Sequence, residues 1–359
     1  MIKSFFKFLL LVIFLTIMVV VAGLFAAPHF VRQDQIKAFL QDKVKLPEGK
    51  VVKINGKVDF GIYPISFIKF NDGKIVSTEG ETTEIESFHL NFNFHSLFAQ
   101  SIKFNLDTIY DGVHYDGNLN IADYRGFLNN SSSLLSGEFS KPVPVTYETN
   151  ATLLPDEKIF QDIIISHKES KLTGDLNVKQ AGASEELKGS FVLDSQNIED
   201  LRRLIDFESY NSEFDNIAGV GKAVVSFHTK GADDFQLKRN LNAEGSLQLS
   251  DLLIYGYDLG EIIESNGEMV FAETTQKAIA VDDITGSFKV SKGVLSFRET
   301  ELKGNDLNVV AKGDVDIAEE SLAVRGDAVI THKQEVYNIP FKLKGSFEDV
   351  EASLDFPKM

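Results

Sequence analysis

The feature that most constrains the fold is an alternation of apolar and polar residues that recurs along most of the chain. In the clearest run, four apolar residues alternate with polar ones: Phe88, Leu90, Phe92 and Phe94. Successive side chains of a β-strand point to opposite faces, so a period of two is typical of strands with one buried and one wet face. Similar runs occur at 52–62, 102–106, 307–311 and 322–330. The pattern predicts a mainly β protein with antiparallel strands.

A second pattern places a glycine two residues before an apolar residue and four before another. Seven copies begin at Gly117, Gly174, Gly189, Gly245, Gly286, Gly313 and Gly326, and an eighth begins at Gly345. Each glycine has the parity of the apolar residues, so it should lie on the apolar face. It either bends the sheet around the protein's own side chains or leaves room in a groove for a ligand such as an acyl chain.

The distribution of charge restricts the possible partners. The formal net charge is −17, but residues 1–57 are net +6, so the remaining 302 residues carry −23. Binding to nucleic acid depends on basic side chains that neutralise phosphates, so the acidic body argues against a nucleic-acid-binding protein. A basic amino-terminal region beside an acidic body suits a protein that stands on an anionic membrane.

The amino-terminal region has the length and composition of a membrane anchor. Residues 8–28 contain no charged side chain, and about 20 apolar residues are enough for a spanning helix. A cleaved signal peptide is the alternative, but this stretch is long for one, and residues 24–27 fit its cleavage rule poorly. We therefore expect one transmembrane helix within 1–31. The flanking charges leave open on which side of the membrane the body lies.

Changes of pattern divide the rest of the chain into three regions. Pro142 and Pro144 follow a serine-rich stretch and mark a boundary. We expect an early β region at 32–140, a middle β region at 141–215 and a carboxy-terminal β domain at 216–359. A helix near 197–207 should interrupt the middle region, with Asn197 as its cap. Its apolar face should consist of Ile198, Leu201, Leu204 and Ile205. Other helices should be few and short.

The sequence carries no motif for enzyme chemistry. It lacks G-x-S-x-G and H-E-x-x-H, and the glycines at 219 and 221 lack the neighbours that a phosphate-binding loop requires. His89 and His95 would lie about 20 Å apart on an extended strand, too far to share a metal ion. The chain has no cysteine, so thiol chemistry and cysteine-ligated zinc are excluded. We therefore expect no catalytic residue, no metal and no cofactor.

Two parts of the chain resemble the AsmA family of bacterial envelope proteins. After the apolar segment come Asp34-Gln35-Ile36-Lys37, the residues 52–56, Tyr63-Pro64 and the residues 97–102, in the order of the family's amino-terminal segment. The residues 245–249, 256–259, 293–297, 307–309 and 313–317 resemble its carboxy-terminal domain. The middle, about 125–215, is similar only in style, and the chain is shorter than typical members.

The resemblance implies a single-pass anchor in the bacterial inner membrane and a body in the periplasm. It also implies an elongated, twisted antiparallel sheet curled into a groove. Such grooves are linked in the family to phospholipid movement and outer-membrane biogenesis, so the implied partners are membrane phospholipids and an envelope protein. About 20 strands at about 4.8 Å spacing extend roughly 100 Å, which we expect to be too short to bridge the envelope alone.

The candidate lipid-facing residues lie on the apolar faces of the predicted strands. They are Phe88, Leu90, Phe92, Phe94, Phe288, Val290, Leu307, Val309, Val324 and Ile330. For each of them the alternative is a closed core, because apolar stripes are usually core. The alternative function is an assembly or scaffold factor for outer-membrane proteins that binds partners at sheet edges and carries no lipid.

Overall fold

The computed structural model consists mainly of antiparallel strands, which confirms the predicted mainly β class. It describes residues 37–38, 51–61, 65–76, 80, 82–198, 200, 217–255, 263–264, 278–347 and 349–354, apart from the side chains of Phe94, Leu97, Arg298 and Glu299. The predicted anchor at 1–31 lies outside the described residues. So does most of the helix near 197–207, of which Ile198 and Asp200 are described and helical.

The strands belong to two compact units, and the first unit extends through Leu153. Consecutive strands pair from β3–β4 through β7–β8, and β3 also pairs with β1 and β2. The strands are β1 (Val51–Ile54), β2 (Val58–Gly61), β3 (Ile65–Val76), β4 (Thr82–Asn93), β5 (Ile102–Tyr110), β6 (Val113–Ile121), β7 (Ser133–Lys141) and β8 (Val145–Leu153).

The second unit begins at Leu154 and contains eleven strands. Each pairs with the next in sequence order, always antiparallel. The strands are β9 (Glu157–His167), β10 (Ser170–Ala181), β11 (Ser184–Ser195), β12 (Ile217–Gly231), β13 (Asn242–Tyr255), β14 (Ala278–Ser291), β15 (Val294–Lys303), β16 (Leu307–Asp316), β17 (Ser321–His332), β18 (Glu335–Ser346) and β19 (Val350–Leu354).

Two-residue turns set the register of several hairpins. Asp111 and Gly112 join β5 to β6 with φ of 52° and 74°, and Lys292 and Gly293 join β14 to β15 with φ of 51° and 80°. Positive φ at both central residues is characteristic of a type I′ turn, whose twist matches that of the paired strands. The turns therefore determine which residues face each other across these strand pairs.

Short helical segments occur at strand ends: a 3₁₀ helix (Phe94–Phe98), α1 (Tyr124–Leu128) and α2 (Asp234–Arg239). The side chain of Asn93 accepts a hydrogen bond from the backbone N–H of His95 at 2.9 Å and so ends β4. The expected continuation of that strand through Phe94 and His95 was wrong, because this cap starts a helical turn. Among the described residues, no helix is both long enough and apolar enough to cross a membrane.

The inner face of the first unit is filled by its own side chains. Leu90 and Phe104 are each 1% exposed, and Phe92 packs on Phe104 with ring centroids 5.3 Å apart. Phe88 stacks on Phe70 at 5.0 Å. Rings in such contact bury large apolar areas and favour each other beyond area alone. This unit therefore has an ordinary hydrophobic interior.

Candidate functional site

The register of the second unit aligns its apolar residues in rows that run across the strands. The first apolar row takes one residue from each of the eleven strands, and each residue pairs directly with the next. Its members are Phe160, Leu176, Gly189, Phe227, Ala243, Val290, Leu295, Val315, Leu322, Gly345 and Val350. None carries a polar side chain. At about 4.8 Å per strand, the row extends roughly 48 Å along the sheet.

Parallel rows on the same face are similarly apolar. A second apolar row consists of Ile163, Gly174, Phe191, Val225, Gly245 and Phe288 and, beyond an irregular pairing, Phe297, Gly313, Val324, Leu343 and Ala352. Another row links Leu249, Ile284, Leu302, Val309, Ala328 and Ile339. The apolar face is thus several residues wide and continuous across the strands.

The middle of this face is only half-buried, unlike the interior of the first unit. Phe227, Phe288, Val309 and Val324 are all half-buried, and Leu247 is 37% exposed. Apolar side chains of a closed core are usually far less accessible. A contiguous apolar patch on this scale marks a site of interaction in most soluble proteins.

Both margins of the face are covered. At one margin, α2 buries Leu237, and its backbone lies against Gly231. At the other, Ile198 packs against a cluster formed by Leu252, Ile279 and Val281. Farther along, Ile263 packs with Ile330 and Ile339. The half-buried zone lies between these covered margins.

A buried polar cluster holds Ile198 in place. Ser195 is fully buried, and its hydroxyl donates to the carbonyl of Asn197 at 2.6 Å. Asp200 is 5% exposed and accepts a hydrogen bond from Lys168 at 2.6 Å. Buried polar groups of this kind need such partners, because desolvation is otherwise costly. The cluster fixes the turn that places Ile198 on the apolar face.

A cavity of about 640 Å³ follows the first six residues of the first apolar row, from Phe160 to Val290. Polar and charged residues from the neighbouring strand positions, including Asn177, Lys188 and Glu244, also border it. The volume lies within the range of about 300–1,000 Å³ that is typical of small-molecule sites. The cavity therefore offers an apolar ligand a place on this face.

The recurring glycines mostly face aromatic rings of the adjacent strand. A Cβ on Gly245 would lie 2.6 Å from the ring of Phe288, and one on Gly189 would lie 2.8 Å from that of Phe227. Rings in the same relation stand opposite Gly117, Gly174 and Gly326. The protein's own rings thus occupy the space beside these five glycines, as the first interpretation predicts, in an arrangement known to support glycine in strands. Gly286 differs, because among the described side chains Thr300 is the one that comes near, at 3.7 Å.

The structure divides the candidate lipid-facing residues between the two units. Phe88, Leu90 and Phe92 are buried in the first unit, so a lipid tail would reach them only if protein side chains moved aside. Phe94 begins the 3₁₀ helix, and its side chain is outside the description. The candidates of the second unit share one apolar face: Phe288, Val290, Leu307, Val309, Val324 and Ile330. Of these, Val290 and Ile330 are buried and the others are half-buried.

Sequence reasoning missed other members of this face. Phe227, Leu247, Phe297 and Phe341 are aligned with the candidates but were not singled out. Phe227 and Leu247 belong to strands with clear alternation, and Leu247 follows a recurring glycine by two residues. The parity of each strand was therefore sufficient to place them on the apolar face.

The opposite face of the same strands carries the charges. His228 Nε2 and Glu186 Oε1 form a hydrogen bond at 3.0 Å, which lowers the pKa of the Glu186 carboxyl. Within the described ranges, His, Asp and Glu side chains form no group of three that could hold a metal ion. What this part of the chain offers chemically is an apolar surface.

No family model, no curated protein and no solved structure matches the chain.

Proposed function

We propose that the protein is a membrane-anchored envelope protein of the AsmA type that binds or moves phospholipid on the apolar face of its second unit. The supporting observation is the first apolar row, which crosses eleven strands without a polar side chain and whose first six residues border a cavity of about 640 Å³. In this proposal the eleven strands curl into a groove, and acyl chains lie along the rows. The role is binding and transport, without catalysis, metal or cofactor.

The dimensions of the face suit acyl chains. One leaflet of a bilayer has a hydrocarbon depth of about 15 Å, so a row of roughly 48 Å offers several chain lengths. Burial of each CH₂ gains about 0.8 kcal/mol, which is close to what the same group gains in a bilayer. Transfer between the membrane and the protein would then be nearly balanced, as a carrier requires.

The proposal places the anchor of residues 1–31 in the bacterial inner membrane and the body in the periplasm. An envelope protein would then complete the path to the outer membrane, because the strands of the second unit extend only roughly 48 Å. In this proposal the filled interior of the first unit stabilises the fold and binds no lipid. Phe88, Leu90 and Phe92 stabilise that unit and are not contact sites for lipid.

Adjacent valines on β16 provide a matched test. Val309 lies on the apolar face, whereas Val310 points to the opposite face and is 45% exposed. We expect Val309→Asp to lower the phospholipid that co-purifies with the full chain by about tenfold or more, because an unpaired carboxylate beside an acyl chain is strongly unfavourable. Val310→Asp should leave it unchanged. The measurement is native mass spectrometry of each variant after extraction in mild detergent.

A photocross-linker at the same two positions covers the case in which Val309→Asp does not fold. We expect benzoylphenylalanine at Val309, and not at Val310, to form adducts with phospholipid in cell membranes. Equal labelling at both positions, or a folded protein with no lipid at either, would contradict the proposal. A lipid-free protein that forms adducts with an outer-membrane protein would favour the assembly-factor alternative.

A further inference from the structure

A row of three basic residues crosses adjacent strands on the solvent face of the second unit. Lys312 on β16 pairs directly with Arg325 on β17, and Arg325 pairs directly with Lys342 on β18. All three side chains are exposed. Ser353 on β19 stands opposite Lys342 and ends the row. These residues have the opposite parity to Val309 and Val324, so this basic row lies on the face away from the apolar rows.

The basic row places like charges directly opposite each other. Like charges directly opposite each other on a sheet are destabilising. No acidic side chain in the part of the chain that the structure describes forms an ion pair with any of the three. Other lysines of this unit do pair: Lys303 lies 2.6 Å from Glu301, and Lys333 lies 2.6 Å from Glu264.

The nearest acidic residues on this face lie in the rows on either side. One row holds Asp314, which accepts a hydrogen bond from Ser296, and Glu351, which stands opposite Lys344. The other holds Glu301 and Asp327, on either side of Val310. These carboxylates flank the basic row without joining it, so the row itself is a line of three exposed cations in a chain of net charge −17.

We propose that the basic row docks the second unit on an anionic membrane surface, where it contacts lipid phosphates. The three cations extend over about 10 Å of an exposed sheet face. A free phosphate ion is a poorer fit, because the three residues lie within paired strands, whose backbone donors bond to neighbouring strands rather than to an anion. A membrane surface presents many phosphates at once, and each Lys or Arg near it strengthens binding about fivefold.

The test uses the full chain with a single cysteine, since the natural sequence has none. A donor fluorophore on Ser353→Cys reports energy transfer to acceptor-labelled lipid in vesicles. We compare vesicles of phosphatidylcholine with vesicles that also contain 30% phosphatidylglycerol. The apolar segment 8–28 attaches every variant to both kinds of vesicle, so the readout is the extra transfer that phosphatidylglycerol produces when the second unit lies on the surface. The variant Lys312→Gln/Arg325→Gln/Lys342→Gln should lower the docking equilibrium constant about 100-fold and lose most of that extra transfer.

A control variant removes three lysines from β14, β15 and the turn between them: Lys289→Gln/Lys292→Gln/Lys303→Gln. It changes the net charge equally and should retain most of the transfer. Equal weakening by both variants, or equal transfer to both kinds of vesicle, would overturn the proposal. So would release by millimolar inorganic phosphate beyond that by sodium chloride of equal ionic strength, which would indicate a free-anion site.

This inference is independent of lipid carriage on the apolar face. The triple variant should still form lipid adducts through benzoylphenylalanine at Val309. If benzoylphenylalanine at Val309 formed no lipid adducts while the second unit still docked, lipid carriage would be rejected. The proposal that the basic row docks on the membrane would stand. Circular dichroism of each variant checks that the fold is unchanged.

Discussion

The variant Phe104→Ala is expected to lower the free energy of unfolding by about 3–5 kcal/mol, the range measured when a fully buried aromatic side chain is removed. Phe104 is 1% exposed, and its ring packs on Phe92 in the interior of the first unit. Removal leaves a cavity that the surrounding strands fill only in part. Chemical denaturation of the full chain in mild detergent, followed by circular dichroism, measures the loss.

Phe288→Ala provides the comparison in the second unit. Phe288 is also a phenylalanine on the apolar face of its strand, but it is half-buried. The ring of Phe288 buries less apolar surface than that of Phe104, so its replacement by alanine should cost about 1 kcal/mol of unfolding free energy. Similar losses at Phe104 and Phe288 would mean that the second apolar face is closed in solution, and this would weaken the lipid-binding proposal directly.

Gly245→Ala should be strongly destabilising, because the glycine lies against a backbone oxygen and an aromatic ring. The added Cβ would lie 2.2 Å from the carbonyl oxygen of Val224 and 2.6 Å from the ring of Phe288. A backbone oxygen in a paired strand cannot rotate away as a side chain can. We expect a loss near the upper end of the cost of overpacking, about 3 kcal/mol, in the same denaturation experiment.

Gly286→Ala is the matched control, since both glycines begin the same Gly-Ser motif on neighbouring strands. Of the side chains that the structure describes, a Cβ on Gly286 would meet Thr300 alone, at an ordinary contact distance of 3.7 Å. We expect a neutral or slightly stabilising change of up to about 1 kcal/mol, because alanine restricts the unfolded chain. Equal losses at the two positions would show that glycine is required here for backbone flexibility rather than for space.

The sequence was sufficient to predict the strands and their faces. Alternation correctly places Leu90, Phe104 and Val309 on apolar faces, because the side-chain period of a strand is fixed by backbone geometry. It failed at Phe94, where alternation continues but the Asn93 side chain ends the strand with a local hydrogen bond. The residue pattern gives no sign of this, since Asn93 also fits the polar face of a strand.

The candidate site was predictable only in part. Phe88 and Phe288 are the same residue type in runs of the same period, yet Phe88 is buried and Phe288 is half-buried. The difference depends on what covers each face, which is a property of distant contacts and not of the local pattern. The rows across strands depend on register, which is set by turns such as Lys292-Gly293 and by pairing partners far away in sequence.

The glycines opposite aromatic rings have a consequence for how the chain finds its pairing. Strands that simply alternate are ambiguous, because a shift by two residues keeps every apolar side chain on the same face. Such a shift between β13 and β14 would move the ring of Phe288 from Gly245 to Ala243 or Leu247, where a side chain already occupies the space. Each such pair is therefore compatible with one strand register only. In this way the glycine–aromatic pairs give a repetitive sequence a unique folded state.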